Sequence, residues 1–309
     1  MNKKKLILIT LMVILSALSA CSPSSNTPVS ELDNERIQKW EDAYGKLLFS
    51  AKPKSGDRYD VFLLHLESGE MERITRTNAS DISPVISQDG SMVFFSSDRD
   101  RTYDLYAVSL PGGDPEQLTT SVSDETEPRI SPDAGSVLFQ TDAYGDYDII
   151  ALDLASDEQN PLTKTDSQET QASWSPDGER IAYLSDQDGD FEIYVMKSDG
   201  SGKEQLTHND TYEATPVWSP DGKQIAFLSR RDSGHFQIYL MDVSTGEETQ
   251  LTDMKETVHS PAWSPDGNYL AFITEGNDGS QIDVIDLENG ETFLVEEEFH
   301  KYAGLAWIE

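Results

Sequence analysis

Trp218-Ser219-Pro220-Asp221-Gly222, followed at once by Lys223-Gln224-Ile225-Ala226-Phe227-Leu228-Ser229, is one line of a refrain. Trp174-Ser175-Pro176-Asp177-Gly178 precedes Ile181 to Ser185, and Trp263-Ser264-Pro265-Asp266-Gly267 precedes Leu270 to Thr274. Ser131-Pro132-Asp133-Ala134-Gly135 and Ser87-Gln88-Asp89-Gly90 are looser copies. The serines stand 44, 44, 44 and 45 residues apart, and a fixed period in that range marks a repeat architecture.

Each part of the repeat has a local chemical meaning. Proline presets the φ of a turn, aspartate bonds the backbone ahead of it, and glycine takes a positive φ, so Ser-Pro-Asp-Gly predicts a tight turn between two strands. The apolar run after it, such as Ile225 to Ser229, predicts a buried second strand. A polar loop leads to a third strand (Leu105 to Val108, Ile193 to Met196, Ile238 to Met241), and a fourth ends in Leu-Thr at 118–119, 162–163, 206–207 and 251–252. Four antiparallel strands in 40 to 45 residues form one propeller blade.

The chain ends set the blade count. Leu47 to Phe49, Val61 to Leu66 and Ile74-Thr75 supply a second, third and fourth strand without a turn phrase before them. Leu305-Ala306-Trp307-Ile308-Glu309 supplies a first strand and then stops, with Trp307 in the column of Trp263. Pairing the two closes the ring and removes the exposed sheet edges. The reading is an all-β, six-bladed propeller of four-stranded antiparallel blades over residues 44–309, closed by the C-terminal strand lying beside the N-terminal blade.

Residues 1–20 read as an export signal: Lys3 to Lys5, an apolar core from Leu6 to Leu15, then Leu18-Ser19-Ala20 before Cys21. Leu-Ser-Ala-Cys resembles the bacterial lipobox, which implies cleavage before Cys21 and its acylation; Cys21 is the chain's single cysteine. Two or more acyl chains give stable membrane anchoring at about 0.8 kcal/mol per buried CH₂. Residues 21–43 read as a lipidated tether. Ser22 to Ser30 is polar and aperiodic, and Ser30-Glu31-Leu32-Asp33 opens a short helix with Ile37, Trp40 and Tyr44 along one face.

The formal charge is −34, and removal of residues 1–20 leaves 20 basic against 57 acidic residues. Nucleic acid is excluded as a partner because phosphate backbones demand basic patches. The acids gather in the loops: Asp98 to Arg101, Asp142 to Asp148 and Asp186-Gln187-Asp188-Gly189-Asp190. Asp81, Glu125, Glu169 and Glu213 each stand five positions before the Trp column, where Val258, with His259 beside it, and Tyr302 occupy the other two repeats. Beginning the innermost strands, these carboxylates are expected to ring one mouth of the channel, with His259, as a ligand or cation site or as blade-to-blade hydrogen bonds. Asp186, Asp188 and Asp190 have the spacing of a calcium loop but lack its downstream glutamate, so they read more simply as a polar hairpin loop. No other cofactor is implied.

The full repeat, from Pro216-Val217-Trp218-Ser219-Pro220-Asp221-Gly222 through Ile238-Tyr239-Leu240-Met241-Asp242 to Gln250-Leu251-Thr252, is similar to the WD40-like, TolB-type propeller repeat. The resemblance covers about residues 44 to 309. It implies the six-bladed fold, and it implies work in the cell envelope, where TolB acts with the peptidoglycan-associated lipoprotein and the Tol complex. TolB carries an α/β domain before its propeller and a plain signal, so the expectation is a TolB-like lipoprotein rather than TolB itself. Similar propellers form the non-catalytic part of prolyl oligopeptidase-family enzymes and of some sugar-acid lyases.

Catalysis finds little support in the residues. There is no Gly-x-Ser-x-Gly elbow, and His65, His208, His235, His259 and His300 form no close metal-binding spacing. Gly200-Ser201-Gly202-Lys203 is too short for a phosphate loop. His259 near Glu213 is the one arrangement that suggests a general base. The sequence therefore points to a monomeric, lipid-anchored, non-catalytic propeller that binds an envelope protein, peptide or glycan. It would sit on the outer membrane facing the periplasm in a two-membrane cell, or on the outer face of the cytoplasmic membrane in a one-membrane cell. The alternatives are an enzyme acting on a sugar acid or peptide at the channel mouth, and a cation-binding propeller.

Overall fold

The computed structural model describes residues 44–309 apart from Ser55, Ser233 and Asp278; the expected signal at 1–20, the Cys21 anchor and the tether and helix expected at 21–43 lie outside it. The 24 strands form six four-stranded antiparallel sheets, one per blade. Blade I is the composite: Lys301–Ile308 lies innermost, followed outward by Lys46–Lys52, Asp60–His65 and Met71–Arg73. Trp307 pairs with Leu47 and Leu305 with Phe49, which is the closure expected from the two chain ends. Blades II to VI follow in order. Their inner strands are Asp81–Ile86, Glu125–Ile130, Glu169–Trp174, Glu213–Trp218 and Thr257–Trp263.

One aromatic ring anchors each blade. Phe49, Phe95, Phe139, Tyr183, Phe227 and Phe272 sit in the second strands and are fully buried, each in the apolar layer between neighbouring sheets. Burying a side chain of this size contributes about 1.5–3 kcal/mol.

The repeated phrase folds as its chemistry predicts. The Ser219 hydroxyl donates to Asp221 Oδ1 at 2.8 Å, Gly222 N–H donates to the Ser219 carbonyl at 2.9 Å, and Gly222 takes φ +70°. A Cβ on Gly222 would lie 3.3 Å from Cγ of Pro176, so the glycine of one turn receives the proline of the previous blade's turn. Hydrogen bonds to the turn aspartates depress their pKa values. Asp89, bonded by the Ser87 hydroxyl and by the hydroxyl and N–H of Ser91, is lowered to about 2.

The Leu-Thr endings also have a structural use. Thr75, Thr119, Thr163, Thr207 and Thr252 each accept, through Oγ1, the N–H of a third-strand residue that the short fourth strand leaves open. The tryptophan column ties blades as well as filling space. Trp174 and Trp263 donate Nε1–H to the Arg129 and Val217 carbonyls of the preceding blade, and Trp307 donates to the Tyr44 carbonyl. No helix among the described residues is long and apolar enough to cross a membrane.

Candidate functional site: the loop face and the hub

The four carboxylates stand where the repeat puts them, one at the start of each inner strand of blades II to V. Their oxygens do not ring the channel mouth: Asp81 and Glu213 are 0% exposed, Glu169 2% and Glu125 4%. Donors from the preceding loop and the end of the second strand draw Glu169 and Glu213 into their own blades, the preceding loop alone supplies a hydroxyl to Asp81, and Glu125 is bonded by Thr119. Thr77 Oγ1 donates to Asp81 at 3.0 Å, and Thr165 and Ser185 hydroxyls donate to Glu169 at 2.8–3.0 Å. Asn209 Nδ2 donates to Glu213 at 2.8 Å and the Ser229 hydroxyl at 3.3 Å. Burial raises the pKa of Glu125, Glu169 and Glu213, because the charged form has lost its water.

Two arginines complete this arrangement, and the sequence reading did not single them out. Arg231 donates Nη2–H to Glu213 at 2.9 Å and Nε–H to Ser229 at 3.0 Å, lies over the Tyr239 ring and also reaches Glu248. Arg99 does the same in blade II, with Asp81 at 3.3 Å, Ser97 at 2.9 Å and its guanidinium 3.9 Å from the Tyr106 centroid. Tyr106 in turn donates to Asp100, and Tyr239 to Asp232. Three repeats separate the two blades, so the twin modules face each other across the ring. The signal was present as Ser-x-Arg-Asp at 97–100 and 229–232.

The hub is built from residues two places further along. Ser83, Glu127, Gln171, Thr215, Ser260 and Gly304 all take positive φ between 47° and 61°, at the same bulge in every inner strand. A left-handed residue that is not glycine costs about 1–2 kcal/mol, so recurrence in five blades shows a demand of the geometry. Two pairs of them lace neighbouring blades: the Ser83 hydroxyl donates to Glu127 Oε1 at 2.6 Å, and Thr215 N–H donates to Gln171 Oε1 at 2.7 Å. At Gly304 a Cβ would meet Ser83 Cα at 2.9 Å, so the closing strand reaches blade II only as glycine.

His259 is not beside Glu213 as a paired base. Its Nε2 lies 3.8 Å from Glu275, which Lys301 holds at 2.6 Å, and its Nδ1 lies 3.2 Å from the Ser260 hydroxyl. Burial lowers its pKa, with Glu275 opposing, so the ring is inclined to stay neutral. Asp186, Asp188 and Asp190, expected as a polar hairpin loop, turn to different partners. Asp186 accepts the Gln168 N–H, Asp188 accepts from Gln205 Nε2, and a buried oxygen of Asp190 has no partner. The three carboxylates serve separate places, and no cluster of three metal-ligating side chains occurs among the described residues.

What remains open on this face is its charge pattern. At the seam of blades I and II, the segments 52–58, 76–80 and 98–103 hold six cations, Lys52, Lys54, Arg58, Arg76, Arg99 and Arg101, against three aspartates. Over blades III and IV, the segments 120–124, 142–147, 164–168 and 186–191 hold seven aspartates against Lys164 alone. A cavity of about 470 Å³ opens in the basic sector, lined by Asp57, Arg58, Asn78, Ala79, Ser80, Asp98 and Arg99.

The sequence matches the TolB beta propeller domain over residues 40–170 and 124–292. The chain belongs to the TolB β-propeller family. Among solved structures of the same fold is TolB from Acinetobacter baumannii, at 20% identity and a TM-score of 0.75, covering 91% of this chain and 74% of that one. A putative TolB from Agrobacterium tumefaciens aligns at 22% identity and a TM-score of 0.66, covering 86% and 99%. An oligogalacturonate lyase in complex with manganese aligns at 18% identity and a TM-score of 0.60, covering 82% and 74%. At these identities the likenesses establish the fold, which TolB-family chains share with enzymes. A search of curated proteins gives no match.

Proposed function

We propose that this TolB-family propeller is an exported, non-catalytic scaffold, anchored to the cell envelope by acyl chains on Cys21, whose loop face docks a protein segment. The observation that carries the reading is the division of that face into a basic sector at blades I and II and an acidic one at blades III and IV. Such a pattern orients an incoming partner and selects against wrong ones more than it adds raw affinity. The inner-strand acids are spent inside the blades, so recognition falls to the exposed loops. Asp142, Asp166 and Asp188 are exposed there.

Crosslinking in intact cells tests this. The wild-type chain should recover a discrete envelope protein, and the triple variant Asp142→Asn, Asp166→Asn, Asp188→Asn should lose it while keeping its melting temperature. Undiminished recovery from the triple variant overturns the docking surface. Globomycin-sensitive processing and labelling by a palmitate analogue, both abolished by Cys21→Ser, test the anchor separately.

A further inference from the structure

We infer that the cavity at the seam of blades I and II is a carboxylate-binding pocket that receives an acidic side chain of a protein partner. The inference deepens the scaffold reading and takes from it the loop face as the docking surface.

The chain as a whole repels anions, with a formal charge of −34, so a seam where six cations meet four acids, Asp57, Asp81, Asp98 and Asp100, is a local exception. Two arginines line the cavity from different blades, Arg58 from blade I and Arg99 from blade II. Of the acids beside them, Asp57 is 92% exposed and touches Arg58 only at 4.0 Å, where solvent screens it. Asp98 is occupied by the Ser80 N–H at 2.7 Å. Arg99 bonds through Nε and Nη2, and its stacking on Tyr106 fixes the plane of the fork. Arg58 is half exposed, and no carboxylate among the described residues lies closer to it than that of Asp57. A pre-placed guanidinium facing a second, adjustable one is the arrangement that holds a carboxylate by charge-assisted bonds.

The lining also sets the class of ligand. It offers two guanidinium groups, an amide and a hydroxyl beside the carboxylates of Asp57 and Asp98, and no aromatic ring, so a sugar ring finds no stacking platform inside it. A cavity of about 470 Å³ takes one or two side chains and leaves the rest of a segment on the face around it.

The test uses the purified full chain and two defined probes, acetyl-Gly-Glu-Gly-Glu-Gly-amide and its glutamine counterpart, by calorimetric titration. The glutamate peptide should bind and the glutamine peptide should not. Arg58→Gln, at an exposed position that the fold does not use, should weaken binding about ten-fold or more, the loss expected for one charge-assisted hydrogen bond. Arg99→Lys, which keeps a cation beside Asp81 but removes the fork, should weaken it too. Lys223→Gln, on the opposite face, removes the same unit of charge and should change binding by less than about two-fold. Equal affinity for the two peptides, equal losses in Arg58→Gln and Lys223→Gln, or tighter Arg58-dependent binding of trigalacturonate each overturns the proposal. A partner can still be recovered by crosslinking in any of those cases, so failure of the pocket is distinguishable from failure of the scaffold reading.

Discussion

Blades II and V handle a buried carboxylate differently from blades III and IV, although all four place it at the same residue of the same strand. In blades II and V an arginine from the loop two strands' length away swings back over the acid, Arg99 to Asp81 and Arg231 to Glu213. In blades III and IV that loop position is Ala143 or Gln187, and Glu125 and Glu169 are left to hydroxyl donors alone. Neutralisation by a cation fixes the loop to the strand, whereas hydroxyl bonding tolerates a neutral carboxyl. Position in the repeat is therefore a poor guide to charge state.

The sharpest way to break the contrast is to remove one arginine. Arg231→Ala leaves Glu213 fully buried with its charge uncompensated, and loss of one partner of a buried pair costs about 3–5 kcal/mol. The expected result is a large fall in the urea midpoint with an unchanged m-value. The double variant Arg231→Ala, Glu213→Gln should recover most of the loss, and a cycle without coupling would show that the arginine acts through Tyr239 and Glu248 instead. Arg99→Ala should cost less, toward about 3 kcal/mol, because its contact to Asp81 is longer and no second acid stands in the place of Glu248.

The opposite substitution belongs to the other pair of blades. Glu125 has one buried oxygen without a partner, so Glu125→Gln removes a poorly satisfied charge and should shift stability by no more than about 1 kcal/mol, in the stabilising direction if in either. Thermal melts of Glu125→Gln beside Arg231→Ala measure the contrast directly. A loss for Glu125→Gln as large as that for Arg231→Ala would erase it.

The repeat unit was legible because its determinants are local. Ser219, Pro220, Asp221 and Gly222 make their bonds to one another, and Trp307 announces its place by belonging to a column of tryptophans. The location of the acids was legible for the same reason. Their direction was not, because the donors that turn Glu213 inward are Asn209, four residues before it, and Ser229 and Arg231, sixteen and eighteen after it. Those residues converge only once the register Glu213↔Ser229 exists. The hub was hidden more deeply: nothing in Ser83, Glu127, Gln171, Thr215 and Ser260 as residue types asks for a left-handed backbone, which is imposed by six strands crowding one axis. The basic sector was masked by the overall charge, since cations from three separate segments meet at one seam.

The smallest expected effect concerns pH, and the two kinds of acid pull in separate windows. The turn aspartates, exemplified by Asp89 at about 2, have folded values below their unfolded ones, so their contribution is present above the unfolded value and is lost as pH falls through the folded one. Glu125 and Glu169 have folded values raised by burial, so the folded protein holds protons that the unfolded chain has released. Their contribution is fullest below the ordinary carboxyl value of 4.5 and declines as pH rises through the folded values. Self-repulsion among the surface acids gives the same sign, so a fall in stability of the wild-type chain from mildly acidic to neutral pH is not by itself diagnostic. The diagnostic quantity is the difference between slopes. The double variant Glu125→Gln, Glu169→Gln keeps nearly all the surface charge and should show a shallower decline of melting temperature over that range, whereas Asp142→Asn, Asp166→Asn, which removes two exposed acids, should leave the slope closer to that of the wild type. Parallel slopes for the wild type and the buried double variant would mean that Glu125 and Glu169 are ionised in the folded blade, and that the hydroxyls of Thr165 and Ser185 suffice to hold a charge where blades II and V use an arginine.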